Sequence, residues 1–254
     1  MKVKTCLRYP GGKFYGYKHI EPYLNVQHVN YIEPFVGGAS IYLGKTQAKN
    51  NWINDKDKEL INFYQVISNE NSLNKFLHLI ENEIVNKERY SQVLNMSVKN
   101  ELERAFKYFY LNRTSFSGIM NKPRWGYRIG SSVTPENWAK RVIPVSNKLK
   151  HTKITSLDFR DLFNNNEDQD TLFYLDPPYF VASKNIYKEE FTNSDHNDLA
   201  DILKKTKSKF VLSYENSNEV KKLYNWANIK ETSWKYFLSE ARRQDSSELI
   251  ITNF

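Results

Sequence analysis

The alternation of apolar and polar positions along the chain predicts β-strands separated by α-helices. Short apolar runs bounded by turn formers are typical of buried strands. Such runs occur at 29–32, 50–55, 153–159, 171–176, 209–215 and 248–254. Apolar spacings of three and four recur from 58 to 107 and predict amphipathic helices, with others at 101–111 and at 195–207, where Asp195 is placed as an N-cap. Strands that alternate with helices indicate a mostly parallel sheet covered on both faces.

One stretch, residues 58–150, interrupts this alternation because its helical spacing continues without an intervening strand. We therefore predict an α/β fold in two domains. The sheet domain comprises residues 1–57 and 151–254, and the mainly helical block 58–150 is a smaller domain inserted between the second and third strands. Within this block, residues 112–135 carry turn formers, basic residues and aromatics, which predicts a loop or hairpin rather than a helix.

Charge adds a weak indication of the partner. The chain of 254 residues has 37 Lys and Arg against 29 Asp and Glu, a formal net charge of +8, which favours a polyanionic partner and nucleic acid before membrane. Aromatic residues make up 15% of the chain and permit base stacking, but an ordinary core uses them equally. Composition therefore allows a nucleic-acid site without locating one.

Several classes of protein are disfavoured. Cys6 is the single cysteine, so no intramolecular disulfide forms, and no Cys/His cluster has the spacing of a zinc site. We therefore expect no metal. No stretch approaches the ~18 uninterrupted apolar residues of a membrane span, and the first residues lack the basic-then-apolar pattern of a signal peptide. We expect a soluble, cytoplasmic protein, and the sequence indicates no obligate protein partner.

A glycine pair follows the first predicted strand, in "YIEPFVGGAS". Gly37 and Gly38 allow a sharp turn and a close approach of the backbone to a ligand. Asp55 ends the next predicted strand, 18 residues after Gly37, where nucleotide-binding sheets place a carboxylate for ribose hydroxyls. A plain strand-to-helix turn explains the glycines about as well, and Asp55 could instead cap the following helix.

The glycine turn lacks the full G-x-G-x-x-G fingerprint, and the chain has no G-x-x-x-x-G-K-[ST] loop. A nucleoside without a pyrophosphate needs less of an anion cradle, and S-adenosylmethionine is such a ligand. A second glycine turn, "LRYPGGKF", has Tyr9 before it and Lys13 after it. Tyr9 could pack against a ligand and Lys13 could pair with a carboxylate, but a reverse turn with an exposed lysine fits the spacing equally.

The stretch "TLFYLDPPYFV" carries the most specific chemistry, in Asp176-Pro177-Pro178-Tyr179. The exocyclic amine of adenine is a poor nucleophile because its lone pair is conjugated with the ring. Two acceptors for its N–H groups favour a tetrahedral nitrogen with a free lone pair, and the Asp176 carboxylate and the Pro177 carbonyl can supply them. Proline fixes φ and holds that carbonyl in place, while Tyr179 can stack on the base. The alternative is a proline-rich turn after a buried strand.

With these segments together, the sequence resembles the Dam-type, alpha-group DNA adenine-N6 methyltransferases over nearly its whole length. The resemblance rests on the ordered segments "RYPGGK", "EPFVGGAS", "NDKDKELINFY", "YLNRTSFSGIMN", "DPPY" and "SSELIITNF". It implies a Rossmann-like S-adenosylmethionine-dependent methyltransferase sheet with an inserted, mainly helical target-recognition domain that carries a hairpin. It also implies methylation of adenine N6 in double-stranded DNA, with a restriction–modification, phage or housekeeping setting left open.

The resemblance assigns roles to individual residues. It implies contacts with S-adenosylmethionine from Tyr9, Lys13, Phe35, Gly37, Asp55, Asp158, Phe159 and Asp176. Within this set, Asp55 binds the ribose hydroxyls, and Asp158 and Phe159 lie on the adenine side. The catalytic pocket is formed by Asp176, Pro177, Pro178 and Tyr179. Phe191 resembles a family aromatic near the target base, although a core phenylalanine is an equal alternative.

Residues expected to contact DNA lie in and after the helical block. The basic residues alternate there with aromatics, at Arg113, Phe116, Lys122, Arg124, Trp125, Tyr127 and Arg128. Basic side chains can grip phosphates or read guanine, and an aromatic can fill the gap that an extruded base leaves. A solvated loop with a local aromatic cluster is the alternative. Arg242 and Arg243 could touch the DNA backbone or lie in an exposed turn.

Other functions remain open at this point. Methyl transfer to cytosine N4 or to a glutamine amide uses related chemistry, although those groups tend towards serine or asparagine at the position of Asp176. A non-catalytic DNA-binding module would use the basic segment and leave Asp176 idle. A nicotinamide oxidoreductase fits the glycine turn and Asp55 but leaves "DPPY" unexplained. Residues 114–135 differ from the GATC-reading members of the family, so no recognition sequence is predicted.

Overall fold

A computed structural model describes residues 2–164, 168–180, 191–239 and 242–254, with the backbone alone at 234–239 and 242–246. Within these ranges, seven strands form one sheet. The strands are β1 (Asn30–Glu33), β2 (Asn50–Asn54), β3 (Lys153–Thr155), β4 (Thr171–Leu175), β5 (Lys209–Glu215), β6 (Asn228–Ser239) and β7 (Arg242–Thr252). Their order across the sheet is β3-β2-β1-β4-β5-β7-β6.

The first five strands are parallel, and β7 runs antiparallel to both of its neighbours, β5 and β6. This arrangement confirms the predicted Rossmann-like α/β fold. The six predicted strands are present, with β3 shorter and β7 longer than their apolar runs indicate. The long strand β6 was not predicted. Every residue of β4 is buried, as expected for a parallel strand covered on both faces.

Helices cover both faces of the sheet. They are α1 (Tyr17–Leu24), α2 (Ser40–Gly44), α3 (Lys58–Ser68), α4 (Glu70–Glu81), α5 (Lys87–Leu94), α6 (Glu101–Thr114), α7 (Trp138–Leu149), α8 (Asn193–Lys205) and α9 (Asn218–Leu223). Helices α1–α7 share one hydrophobic core with the face of β4 that carries Leu172 and Tyr174. Helices α8 and α9 pack on the opposite face, with Phe173 and Leu175. In the described part of the chain, no helix is long and apolar enough to cross a membrane.

Polar caps fix where the helices begin. At the start of α3, α4, α5 and α6, backbone N–H groups donate to the side-chain oxygens of the N-cap residues, which are Asp57, Asn69, Asn86 and Asn100 respectively. Such caps stabilise a helix by about 1 kcal/mol each. The prediction that Asp195 caps α8 was wrong by three positions. Thr192 is the N-cap, and Asp195 completes a capping box by accepting the Thr192 N–H.

The predicted helical block is present between β2 and β3, where α3–α7 follow one another. These helices share their core with sheet residues such as Leu172 and Tyr174. The division into a domain at 58–150 and a sheet domain at 1–57 and 151–254 therefore stays a prediction. The loop predicted from residue 112 was wrong at its start, because α6 continues to Thr114.

The order of the strands locates the binding edge of the sheet. The chain passes from β1 outward to β2 and β3, and then returns to the other side of β1 with β4. Loops that leave neighbouring strands in opposite directions open a crevice at their carboxyl ends, and open α/β sheets bind ligands there. The segments after Glu33 and after Leu175 border this crevice. These are the "PFVGG" and "DPPY" segments of the sequence.

Candidate active site

A cleft of about 1240 Å³, counting its open mouth, lies at the carboxyl ends of β1 and β4. We call it the switch-point cleft. Its walls come from separate parts of the chain and include the glycine turn at 9–13, the segment 33–38 and residues 55–57. The other walls include 157–159 and, from the "DPPY" segment, Asp176 and Pro178. The predicted cofactor residues Tyr9, Lys13, Phe35, Gly37, Asp55, Asp158, Phe159 and Asp176 all line it.

Asp176 leaves the buried strand β4 and is held from two sides. Lys13 Nζ lies 2.7 Å from its Oδ1 and 2.9 Å from its Oδ2. Ser213 Oγ, from the neighbouring strand β5, donates to Oδ1 at 3.1 Å. Lys13 is only 3% exposed, so the exposed lysine of a simple reverse turn is ruled out. Lys13 thus joins the "RYPGGK" turn to the acid of "DPPY".

Electrostatics around Asp176 act in opposite directions. Burial raises the pKa of Asp176 above its ordinary value, because a charged carboxylate is costly to remove from water. The adjacent Lys13 ammonium and the Ser213 hydroxyl lower it again. A carboxylate has about four lone-pair sites. Asp176 can therefore keep both contacts and still accept a hydrogen bond from a group in the cleft.

Tyr179 follows Asp176 on the same loop, and we call residues 176–180 the DPPY loop. The Tyr179 hydroxyl donates to Glu248 Oε2 at 2.5 Å. Its ring lies beneath Lys13 Nζ, with 4.9 Å between that nitrogen and the ring centroid. Pro178 lines the cleft and Pro177 is buried. The loop thus brings an acid, a rigid backbone and an aromatic ring together.

A second acid, Glu33, lies in the wall of the cleft and was missed by sequence reasoning. It ends β1, is 1% exposed, and accepts a hydrogen bond from the Tyr31 hydroxyl at 2.5 Å. Burial raises the pKa of Glu33 to about 8, and the nearby Asp176 charge adds to the effect, while the Tyr31 hydroxyl and Lys45 oppose it. Burial thus favours the protonated form of Glu33.

The glycine pair is required by close packing. Gly37 has φ +45°, and a Cβ there would lie 2.7 Å from the Tyr9 ring. A Cβ on Gly38 would come equally close to Tyr9. The Gly37 N–H donates to Asp55 Oδ2 at 2.9 Å, and its carbonyl accepts from the Tyr64 hydroxyl at 2.9 Å. The turn is therefore fixed from three sides, with Tyr9 against its backbone.

The two remaining acids of the cofactor prediction have different environments. Asp55 also accepts the Asp57 N–H at 3.0 Å, while Asp57, and not Asp55, caps helix α3. The alternative role of Asp55 as the helix cap is thus ruled out. The Asp158 carboxylate is held by Arg160, whose Nη1 lies 2.9 and 3.1 Å from its two oxygens. The same guanidinium binds Asp195 at the rim of the cleft.

Three phenylalanine rings cluster beside these acids, tilted or edge-to-face to one another. Phe35 lies 5.5 Å from Phe159 and 5.6 Å from Phe191, centroid to centroid, and Phe159 and Phe191 are also 5.6 Å apart. All three line the cleft. Phe191 therefore contacts the predicted adenine-side residues of the cofactor site. An aromatic cluster with carboxylates beside it suits a nucleoside that carries positive charge.

The predicted DNA residues fall into two groups. Lys122, Arg124 and Arg128 are exposed, and Phe116 is 54% exposed. Arg113 instead lies inside α6, is 6% exposed, and donates to the Cys6 carbonyl at 3.2 Å. Burial lowers its pKa to about 10. Arg113 is thus placed as a core residue.

We call residues 115–131 the basic segment. A single antiparallel bridge between Ser115 and Trp125 stands where a hairpin was predicted. Trp125 is half-buried and packs against Tyr90, with 5.5 Å between ring centroids, and Tyr127 lies beside it at 6.1 Å. The tip of the segment is the most exposed part, with Ile129 at 95%. The side chains of Arg242 and Arg243 lie outside the described residues.

A buried amide fastens the basic segment to the cleft. Asn112 Oδ1 accepts the Arg8 N–H at 2.8 Å, and its Nδ2 donates to the carbonyls of Arg8 at 2.8 Å and Gly118 at 3.2 Å. Gly118 has φ +71°, and a Cβ there would lie 2.3 Å from the Arg8 carbonyl oxygen. Gly118, Met120 and Asn121 consequently form part of the cleft wall.

Comparison with known proteins identifies the family of the chain. Residues 9–238 match the profile of the D12 class of N6 adenine-specific DNA methyltransferases. The chain is 30% identical to the type II methyltransferase M.MjaIII of Methanocaldococcus jannaschii, over the full length of both. It is 24% identical to the type II methyltransferase M.CviBI of Paramecium bursaria Chlorella virus NC1A, over 99% of this chain and all of that one. The DNA adenine methylase of Haemophilus influenzae is 23% identical, over 98% of this chain and 93% of its own.

Proposed function

We propose how this chain, which belongs to the D12 class of N6 adenine-specific DNA methyltransferases, uses the switch-point cleft: it moves a methyl group from S-adenosylmethionine to N6 of an adenine extruded from duplex DNA. The observation that carries the proposal is the position of Asp176. Its carboxylate stands at the end of β4, between Lys13 and Ser213, in the wall of the cleft. A restriction–modification or viral setting is part of the proposal, supported by the names of the type II relatives.

The residues of the cleft fit S-adenosylmethionine. The cluster of Phe35, Phe159 and Phe191 offers an apolar aromatic surface for an adenine ring, and Asp158 beside it is an acceptor for an amino group. Asp55, at the end of β2, is suited to ribose hydroxyls. Glu33 and Asp176 both line the cleft, and the Asp176 carboxylate is the acid suited to a cationic end of the ligand. When bound, S-adenosylmethionine would supply an electrophilic methyl group on a positively charged sulfur: the S–CH3 bond would break as the N6–CH3 bond forms, S-adenosylhomocysteine would leave, and the surplus N6 proton would pass to the Asp176 carboxylate and on to solvent.

The chain's own residues prepare the adenine amine. The Asp176 carboxylate accepts one N–H of N6 and the Pro177 carbonyl accepts the other, so the nitrogen lone pair is withdrawn from conjugation and directed at the methyl carbon. Lys13 and Ser213 keep the carboxylate oriented before the base arrives. Such prior positioning removes much of the entropic cost of the reaction. The Tyr179 ring supports the face of the base.

The DNA contacts are proposed for the exposed half of the basic segment. Lys122, Arg124 and Arg128 are free to approach phosphates or a groove, and exposed Phe116 suits the gap that the extruded base leaves. Trp125 is proposed to support this segment through its packing on Tyr90. Residues 58–150 act as the target-recognition domain in this proposal. Buried Arg113 is not included among the groups that contact DNA.

Asp176→Ala tests the chemistry. Methyl transfer from radiolabelled S-adenosylmethionine to duplex DNA should fall at least about 100-fold, a typical loss when one fixed acceptor or donor is removed, while DNA binding is retained. The variant leaves the Lys13 ammonium buried without its partner, so the double variant Asp176→Ala/Lys13→Met guards against misfolding. Asp201→Asn, which alters an exposed acid on α8, is the matched control and should keep full activity.

The product decides between this proposal and its rivals. Treated DNA is digested to nucleosides and analysed by mass spectrometry, with duplex and single-stranded substrates compared. N6-methyladenine from duplex DNA is expected. N4-methylcytosine without N6-methyladenine would reject adenine as the substrate. If the wild type binds DNA but transfers no methyl group, the protein is a non-catalytic DNA-binding module and the proposed function is wrong.

A further inference from the structure

Two glutamates stand opposite each other where β5 pairs with β7. Glu215 ends β5, and its register partner on the antiparallel strand is Glu248. Glu248 is 1% exposed. Acidic side chains directly opposite each other destabilise a sheet pair when both are charged, and carboxyl groups are rarely buried without a specific partner. The placement of both acids beside the DPPY loop therefore calls for a function.

Both acids hold the second half of the DPPY loop. Glu248 Oε2 accepts the hydrogen bond of the Tyr179 hydroxyl at 2.5 Å. Glu215 Oε1 accepts the backbone N–H of Phe180 at 2.8 Å. The Tyr179 ring cannot turn freely while its hydroxyl is bound, and the following peptide is fixed by the second acid. The plane of the aromatic ring is thus set from beneath the loop.

The first half of the loop is anchored in the same way from β5. Ser213 lies two residues before Glu215 and therefore on the same side of the strand. Its hydroxyl donates to Asp176 Oδ1 at 3.1 Å. Asp176 and Tyr179 of the DPPY loop are consequently both held by hydrogen bonds to the paired strands β5 and β7.

We propose that Glu248, assisted by Glu215, is a positioning residue that fixes the Tyr179 ring at the angle at which it supports the target base. This inference rests on the proposed function of the DPPY loop and goes beyond it, because neither glutamate lines the cleft or meets the reacting atoms. Lys13 completes the arrangement above the ring, with its Nζ 4.9 Å from the centroid. The ring is thereby held at its hydroxyl, with a cation over its face.

Tyr179→Phe and Glu248→Gln test this tether. Tyr179→Phe keeps the aromatic surface and removes the donor, and we expect the single-turnover rate to fall about tenfold, the effect of a lost hydrogen bond to a charged group. Glu248→Gln keeps the volume and weakens the acceptor, with a smaller loss. The double variant should equal Tyr179→Phe, because Glu248 has no hydroxyl left to hold. Affinity for S-adenosylmethionine should stay unchanged in all three.

A second readout follows the base itself. With 2-aminopurine at the target position, the wild type should show the altered fluorescence of a base that is extruded and stacked. Tyr179→Phe and Glu248→Gln should both extrude the base but give a broader distribution of fluorescence lifetimes. If Glu248 has only a structural role, Glu248→Gln will lower the stability of the fold. The fluorescence lifetimes and the rate of the folded fraction will then stay unchanged.

Tyr224→Phe is the matched control, because the Tyr224 hydroxyl is buried and has no hydrogen-bond partner among the described residues. It should keep wild-type rate and fluorescence. A wild-type rate in Tyr179→Phe, or losses that multiply in the double variant, would overturn the tether alone. A wild type that forms no N6-methyladenine would overturn the proposed function, and the tether with it.

Discussion

The DPPY loop and the basic segment are both short and aromatic, yet the protein packs them in opposite ways. In the DPPY loop, the Asp176 carboxylate, the Tyr179 hydroxyl and the Phe180 N–H each have a named partner on a neighbouring element. In the basic segment, Phe116 is 54% exposed and Ile129 is 95% exposed. One loop is thus fixed by the fold, and the other presents its side chains to solvent.

The difference follows from what each region is proposed to do. A poor nucleophile needs acceptors that are fixed before it arrives, since movement during the reaction costs rate. A surface that meets DNA can instead adjust its side chains to phosphates and bases as they come into contact. Fixed buried polar groups therefore favour the chemical step, and exposed basic and aromatic groups favour recognition.

Near Gly118, the basic segment packs on the chain that leads into the cofactor turn. Gly118 begins the cleft-facing part of the basic segment and packs on the Arg8 carbonyl, with Asn112 bonded to both. Arg8 directly precedes Tyr9 of the cofactor turn. The near end of the basic segment thus belongs to the rigid frame, whereas a Cβ added at Gly130, at its tip, would meet no atom within 4 Å.

Lys13→Met should have the largest effect, because it breaks a buried ion pair, typically 3–5 kcal/mol. Without the ammonium, the pKa of Asp176 rises further, because the opposite charge that lowers it is gone. Because ionised Asp176 is needed, activity is lost as pH falls through that pKa, so the acid limb of the single-turnover pH profile should move to higher pH. Lys13→Arg keeps the charge and should move the limb much less. If the acid limb of the profile stays in place in Lys13→Met, the Lys13–Asp176 ion pair does not control the chemical step.

Gly118→Ala compared with Gly130→Ala tests the joint between the regions. Both glycines have positive φ, +71° and +83°, so both variants bear the strain of a left-handed residue, about 1 kcal/mol. Only Gly118 also meets backbone, at 2.3 Å from the Arg8 carbonyl oxygen. We expect denaturant unfolding to show about 2–3 kcal/mol lost in Gly118→Ala, with weaker cofactor binding, and about 1 kcal/mol in Gly130→Ala. Equal losses would show that the near end is not anchored.

Glu33→Gln should change how stability depends on pH. The pKa of Glu33 is raised to about 8 in the folded protein from an ordinary value of 4.5, so the folded state binds the proton more tightly. Its stabilising contribution is complete below pH 4.5 and is lost as pH rises to about 8, at about 1.4 kcal/mol per pH unit. The unfolding free energy of the wild type should therefore fall relative to that of Glu33→Gln by about this amount between pH 6 and pH 7. Parallel curves for the two proteins would contradict the assignment.

The sheet and the position of the acid could be predicted because both are local features. Apolar runs such as 171–175 and 209–215 predict strands by themselves, and an acid directly after such a run must lie at the carboxyl edge of a parallel sheet. The strand β6 was missed because its run has few apolar residues at its start, "NIKETSWKYFLS". It is stabilised by its pairing with β7, the next strand along the chain, from Asn228 opposite Thr252 to Ser239 opposite Arg242.

The supporting residues of the site could not be predicted from the sequence. Ser213 lies in the middle of an apolar strand, and its hydroxyl can reach Asp176 only because β5 lies next to β4. Glu248 became relevant only because β7 inserts between β5 and β6. Glu33 had a signal, since it directly ends the strand before the glycine turn. Its position at the switch point could have identified it as a cleft residue.

Arg113 illustrates the opposite error, because it was predicted to contact DNA and is buried in the core instead. The polar run "NRTS" after "FKYFYL" predicts a loop, but α6 continues through it to Thr114. The helix is stabilised there by tertiary packing: Asn112 binds the Arg8 backbone and Arg113 binds the Cys6 carbonyl. Polar side chains that bond to a neighbouring segment can be buried as fully as apolar ones. Local pattern alone does not distinguish such residues from a solvated loop.

Arg124→Gln should have the smallest effect and tests the exposed half of the comparison. Arg124 is exposed, and its own carbonyl accepts the Phe116 N–H at 2.8 Å, so the substitution leaves the backbone of the basic segment intact. If its side chain neutralises one phosphate, the slope of log affinity for DNA against log salt should fall by about one, with the single-turnover rate at saturating DNA unchanged. Lys204→Gln removes the same charge from α8 on the opposite face of the sheet and should leave the slope unaltered. Equal slopes in both variants and the wild type would remove Arg124 from the DNA surface, whereas a slower chemical step in Arg124→Gln would mean that this half of the segment also shapes the cleft.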